Sequence, residues 1–225
     1  MNSTLYLTSV PIGNSGDLSP RCLETIQTAD LIIGEEFKTT SKLLKYCSTQ
    51  NKDFELLNEH TDPESLEALL QKVKSKEKTC LFSDSGTPLL ADPGQDLVKR
   101  AIQEGISIKV IPGPSAFLVA LLLSGLPTSP FTFIGFLPRE SVDRIKTIKK
   151  YMPFGHTLVL YETPYRYKKS FREILEIFPK NTKVFLGLDL TCEEEIQFRG
   201  TKEEFLQRIE GFPKGNPVLV ISAQQ

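Results

Sequence analysis

Asp84 and Asp92 fall within eleven residues of chain that also hold Gly86, Pro88, Pro93 and Gly94. A carboxylate placed against a ligand can act as a general base. Glycine lets backbone approach a ligand, and proline stiffens the loop that carries it. The full stretch is Ser83-Asp84-Ser85-Gly86-Thr87-Pro88-Leu89-Leu90-Ala91-Asp92-Pro93-Gly94. The apolar run Thr79–Phe82 before it reads as a buried strand, and the amphipathic run Gln95–Glu104 after it reads as a helix. Strand, loop, helix is where an open α/β sheet usually holds its ligand. The plain alternative is a connection built from turn residues, with Asp84 bonding nearby amides.

Three other places carry similar chemistry. Glu35 and Glu36 follow the strand-like Leu31–Gly34. They read either as a solvated first helical turn favoured by the dipole or as carboxylates facing a cleft. Pro11-Ile12-Gly13-Asn14-Ser15-Gly16 is a glycine loop after a first strand, but Gly13 and Gly16 do not make GxGxxG, so it is a poor dinucleotide signal. It can still present backbone donors. Pro112-Gly113-Pro114-Ser115-Ala116 feeds an apolar helix, so its amides could meet an anionic group, or it could be a hinge.

The elements that must position these loops alternate. Strands are expected at Leu5–Val10, Leu31–Gly34, Phe54–Leu57, Thr79–Phe82 and Ile106–Ile111. Helices are expected at Ser19–Ala29, after Glu36, over Thr61–Ser75 and over Gln95–Glu104. This alternation argues a mostly parallel sheet with helices on both faces. Residues 1–112 form the expected first α/β domain and 113–225 the second. The second half has several strands with short connections, so its sheet is expected to be mixed.

Composition narrows the class. The 225 residues are 40% hydrophobic and 24% charged, as in an ordinary globular protein. No apolar run approaches the ~18–20 residues of a membrane span. The N-terminal Met1-Asn2-Ser3-Thr4 lacks a basic region, so no signal peptide is expected. Four cysteines without CxxC spacing and two histidines argue against a zinc site and for free thiols in a reducing cytoplasm. A net charge of −1 does not advertise nucleic-acid binding.

Taken together, six motifs resemble the ribosomal RNA small-subunit methyltransferase I family of the tetrapyrrole methylase superfamily. They are Ser9-Val10-Pro11-Ile12-Gly13-Asn14 with Gly16-Asp17-Leu18; Ser83–Pro88 with Asp92-Pro93-Gly94; Pro112–Ala116; Gly125-Leu126-Pro127 with Gly135-Phe136-Leu137-Pro138; Tyr161-Glu162-Thr163-Pro164 with Arg166; and Lys214-Gly215 with Val218-Leu219-Val220. The resemblance spans nearly the whole chain. It implies two α/β domains with S-adenosylmethionine in a cleft between them, a homodimer, and 2′-O-methylation of a cytidine in 16S rRNA. It places the methyl donor at Pro11, Ser85, Gly86, Thr87, Leu90, Ser115, Ala116, Tyr161 and Pro217. Asp84, Glu36 and Glu162 become candidates for the base, and Lys38, Arg139 and Arg166 candidates for holding RNA. No metal is implied.

The departures lie on the substrate side. Lys38 stands where the family usually has arginine, Phe37 where it has threonine, and Tyr165 where histidine is common. The same fold acting on a small or tetrapyrrole-like molecule, and a donor-binding protein without catalysis, are the alternatives.

Overall fold

In the computed structural model, which describes residues 3–222, contacts divide the chain into two compact units, Met1–Ser115 and Ala116–Gln225. In the first unit β1 (Thr4–Thr8), α1 (Pro20–Thr28), β2 (Leu31–Gly34), α2 (Phe37–Tyr46), β3 (Phe54–Leu56), α3 (Pro63–Ser75), β4 (Lys78–Leu81), α4 (Gln95–Gln103) and β5 (Ser107–Ile111) alternate. All five strands are parallel, in the order β3-β2-β4-β1-β5. Side chains alternate across such a sheet. Leu5, Leu7, Ile33 and Leu81 face the α3–α4 side, where Leu69, Val73 and Leu97 complete one core. Tyr6, Ile32 and Cys80 face the α1–α2 side and pack with Cys22, Ile26 and Leu44.

Strand order sets the site. β1 connects to β2 across β4, while β4 connects to β5 across β1. The two connections leave these neighbouring strands in opposite directions on opposite faces of the sheet, α1 on one and α4 on the other, which makes the β1–β4 boundary the switch point where open α/β sheets hold ligands. β1 ends at Thr8 rather than the expected Val10. Val10 instead leaves the ladder for an antiparallel bridge with Gly86. That exchange ties the first loop to the loop after β4.

Helix boundaries follow local capping. α3 starts at Pro63 rather than Thr61 because the Asp62 carboxylate accepts the Glu64 and Ser65 N–H groups. α1 keeps its Ser19 cap and first-turn proline. At the end of β2 only glycine fits: a Cβ on Gly34 would sit 2.0 Å from Thr40 Oγ1, so β2 passes directly under α2.

The second unit runs α5 (Ala116–Ser124), β6 (Phe131–Phe136), α6 (Ser141–Tyr151), β7 (Thr157–Tyr161), α7 (Tyr167–Leu175), β8 (Lys183–Leu188), β9 (Ile196–Thr201), α8 (Lys202–Arg208) and β10 (Pro217–Ile221). Its order is β6-β7-β10-β8-β9. β6 and β7 are parallel, and the remaining neighbours are antiparallel. The expected parallel first sheet and mixed second sheet are both present. Leu158, Leu160, Leu186 and Leu219 meet Phe171, Ile174 and Phe205 in one core. α6 begins at Ser141, and α7 stops at Leu175. The buried Lys202 ammonium takes the Glu176 and Phe178 carbonyls left beyond α7.

Residues 113–115, assigned above to the second domain, fall in the first unit. Thr87 Oγ1 donates to the Pro114 carbonyl at 3.0 Å, and a Cβ on Gly113 would lie 2.9 Å from Ser9 Cβ. These contacts bind the turn to the β1 and β4 loops. No helix of the described residues is long and apolar enough to cross a membrane.

Candidate active site

Three loops meet at the carboxyl ends of β1, β4 and β5 in the first unit. The Val10 N–H donates to the Gly86 carbonyl at 2.9 Å, and Ser9 Oγ and Thr87 Oγ1 share a hydrogen bond of 3.1 Å. Gly86 adopts φ +77, where an L side chain is strained, and a Cβ there would crowd Ile12 at 3.1 Å. Ser85 and Leu90 remain exposed on this surface, while Gly86 and Ser115 are buried in it. Pro11, Ser85, Gly86, Thr87 and Ser115 are thus brought to one place by the switch-point geometry.

Asp84 lies where β4 gives way to the loop. Its Oδ1 accepts the Glu36 N–H at 3.2 Å, and the Asp84 N–H in turn donates to Glu35 Oε2 at 3.2 Å. This reciprocal pair holds the β2 and β4 loops in register. Burial pushes the Asp84 carboxyl above the usual range, against the Glu36 N–H and the Thr39 hydroxyl, which favour its charged form. Asp84 also lines a cavity of about 170 Å³ whose other walls include Pro11, Gly13, Thr39, Lys42 and Tyr46.

The sequence reading singled out Glu36 rather than Glu35. The structure leaves Glu36 exposed, and its side chain makes no capping bond to α2. Glu35 is the enclosed member. Burial drives its pKa up to about 7, with the Asp92, Asp84 and Glu36 charges adding to the rise and the Asp84 N–H opposing it. Asp92, held by the Ser83 hydroxyl, is pushed up to about 6, mainly by burial. In sequence these two carboxylates look like their exposed neighbours, and only the tertiary contacts separate them.

A pH dependence follows. Glu35 binds its proton more tightly in the folded chain, so its contribution to stability is full below the unfolded carboxylate pKa and is lost as pH rises toward about 7. Glu35→Gln should flatten that part of the stability curve while keeping an acceptor for the Asp84 N–H. Denaturant unfolding from pH 4 to 8 checks this; an unchanged slope for the variant would refute it.

In the second unit, Tyr161 stands at the end of β7, level with Val218 and next to Pro217 on β10. Its hydroxyl accepts the Phe117 N–H at 2.9 Å in the first turn of α5, beside Ala116. Tyr161, Ala116 and Pro217 are therefore neighbours, with Phe133 edge-on to the tyrosine ring at 4.9 Å.

Glu162 is different in kind. Its side chain is fully buried, and Oε1 accepts from Thr163 N at 2.7 Å and from Arg166 Nε and Nη2 at 3.0 and 2.6 Å. Arg166 also donates to the Leu137 carbonyl at 3.1 Å. This cluster ties the β6 and β7 loops together and leaves Arg166 only partly exposed. Arg139 is exposed in the β6–α6 loop, and Lys38 is exposed on α2.

The profile of the Tetrapyrrole (Corrin/Porphyrin) Methylases family matches residues 4–206. A protein of Leptospira borgpetersenii named ribosomal RNA small subunit methyltransferase I is 45% identical over all of this chain and 90% of its own length. A protein of the same name from Halalkalibacterium halodurans is 39% identical over 89% of this chain and 69% of its own length. Among solved structures, a diphthine synthase superposes with TM-score 0.75 at 17% identity, over 97% of this chain and 89% of that one. That last likeness speaks for the fold alone. The architecture, the motif order and these relatives agree: the chain is a methyltransferase that belongs to the tetrapyrrole methylase family, in its ribosomal RNA small subunit methyltransferase I branch.

Proposed function

We propose that the chain binds S-adenosylmethionine and methylates the 2′-hydroxyl of a cytidine in 16S rRNA. The observation that carries this is the convergence of the Pro11, Ser85–Thr87 and Ser115 loops at the switch point, beside the half-buried Asp84 carboxylate.

The residues present fit the donor. Gly86 and Gly113 keep the loops free of side chains where they meet Ile12 and Ser9. Loop amides suit a carboxylate, and Leu90 and Pro11 offer apolar surface to a ring. Pro11, Ser85, Gly86, Thr87, Leu90 and Ser115 would hold it in the first unit. When bound, it supplies a methyl group already activated on a sulfonium.

The protein's remaining work is to align the ribose hydroxyl and take its proton. Asp84 is the best-placed base among the candidates, because it lines a cavity and burial raises its basicity. Glu36 is less favoured because it is exposed. Glu162 acts through its ion pair with Arg166, as a positioning group for the β6 and β7 loops. The relatives' names favour ribosomal RNA over a small-molecule acceptor. A homodimer in the cytoplasm belongs to the same reading; exposed Leu118 and Leu122 on α5 supply an apolar face for it.

Calorimetry with S-adenosylhomocysteine should show saturable binding, and none would remove the donor claim. Mapping 2′-O-methylcytidine in 16S rRNA from a strain lacking the gene should show one modification missing. Its persistence, with no second copy of the gene, would assign the activity elsewhere. Sedimentation at the mass of one chain would remove the dimer.

A further inference from the structure

One face of α2 has no part in the donor loops. Lys38, Lys42 and Lys45 recur at i, i+4 and i+7, so they stand in a row along the helix. All three are exposed, and the helix carries no acidic residue between Phe37 and Tyr46. A chain with net charge −1 therefore concentrates three positive charges along ten residues. None of the three lysines forms an ion pair with a carboxylate among the described residues, so the row is not neutralised by a neighbouring acid.

One residue of the row, Lys42, lines a cavity. Lys42 and Tyr46, one helical turn apart, form one wall of the space of about 170 Å³ that Asp84 closes at the strand end. Pro11 and Gly13 also line it, and Phe82 and Leu43 add apolar surface. Tyr46 is 54% exposed, and its hydroxyl donates to the Ser15 carbonyl at 3.3 Å, which fixes the ring at the rim. Drug-sized ligands occupy sites of about 300–1,000 Å³. This cavity suits something smaller: one planar ring, entering past an aromatic rim, with a carboxylate at one end and a cation row outside.

We propose that this cavity takes the unstacked pyrimidine nucleotide that accepts the methyl group, and that Lys38, Lys42 and Lys45 hold the flanking phosphates. The proposal rests on the ribosomal RNA reading above and deepens it. Enzymes that act on a nucleotide extrude it into a pocket, and RNA is commonly read by stacking an unpaired base on an aromatic ring. In this reading the base lies against Tyr46, the phosphates toward the lysines and the ribose toward Asp84. A glutamate-rich acceptor or a polyanionic tetrapyrrole would use the lysines but would not need a one-ring cavity.

The test uses the whole chain and small ribosomal subunits from a strain lacking the gene. Initial rates across subunit and KCl concentrations give kcat, KM and the salt dependence for wild type, Lys42→Gln and Tyr46→Ala, with the exposed Lys99→Gln as a control. Each of the two site variants should raise KM for subunits about tenfold, as loss of one stacking or phosphate contact does. Lys42→Gln should also lower the slope of log KM against log salt by about 0.7, the value for one single-strand phosphate contact. S-adenosylhomocysteine affinity should stay at the wild-type value, which also verifies folding, and Lys99→Gln should leave KM and slope alone. Wild-type KM and slope in both site variants would overturn the inference while leaving the ribosomal RNA reading intact. A wild-type chain that binds S-adenosylhomocysteine but methylates no subunit would instead overturn that reading, and this inference with it.

Discussion

Asp84→Asn is expected to lower kcat for methyl transfer by about 10²–10⁴-fold, the usual contribution of a positioned base. The amide keeps an oxygen that can accept the Glu36 N–H now bound at 3.2 Å, so the β2 and β4 loops should stay joined. What it loses is proton affinity. The wild-type rate should rise with pH as Asp84 gives up its proton, over a range displaced upward by burial. In the variant that rise should vanish while S-adenosylhomocysteine still binds. Single-turnover rates from pH 5 to 9 would show this. A variant with an unaltered pH profile and rate would exclude Asp84 and return Glu36 to consideration. Glu35 complicates the profile, because its pKa of about 7 falls in the same range and its carboxylate receives the Asp84 N–H. Repeating the profile in Glu35→Gln separates the two groups.

Arg166→Ala is expected to destabilise the second unit strongly. It removes both guanidinium bonds to Glu162 and the one to the Leu137 carbonyl. The Glu162 side chain is 0% exposed, against 30% for Arg166, so the glutamate is left behind as an enclosed charge with only the Thr163 N–H. Breaking a buried pair in this way costs about 3–5 kcal/mol, far more than losing an exposed pair. Among the described residues Glu162 Oε2 already has no hydrogen-bond partner. Adding Glu162→Leu should recover part of the stability, because the uncompensated charge goes with it. Denaturant midpoints of the single and double variants decide the matter. A loss below about 1 kcal/mol in Arg166→Ala would mean that the pair behaves as a surface contact.

The carboxylates involved in these two predictions are ones that the sequence treats alike. Asp84, Glu36 and Glu162 each follow an apolar strand and precede or begin a helix. Burial and hydrogen bonding then separate them into a half-buried carboxylate on a cavity, an exposed one and an ion-paired one. Spacing along the chain cannot carry that distinction, because it depends on which loop lies opposite.

Local chemistry was enough for the elements and their order. Alternating strands and amphipathic helices reported the parallel first sheet, and the glycine and proline loops reported where it opens. The Asp62 cap, the Ser19-Pro20 start and the Thr201 capping box acted within a few residues, so helix starts lay close to where local rules put them. Tertiary structure decided what those rules cannot see. The order β3-β2-β4-β1-β5 put the Pro11 and Ser85 loops side by side, Gly34 let α2 cross the end of β2, and that crossing placed Lys42 and Tyr46 against Asp84. A strand pairs with partners distant in sequence, so its loops acquire their neighbours only when the sheet closes. For this protein the sequence by itself determined the fold class, the family and the loops that matter. The fold determined which carboxylate is enclosed, which is tied to an arginine, and where a small planar ring has room.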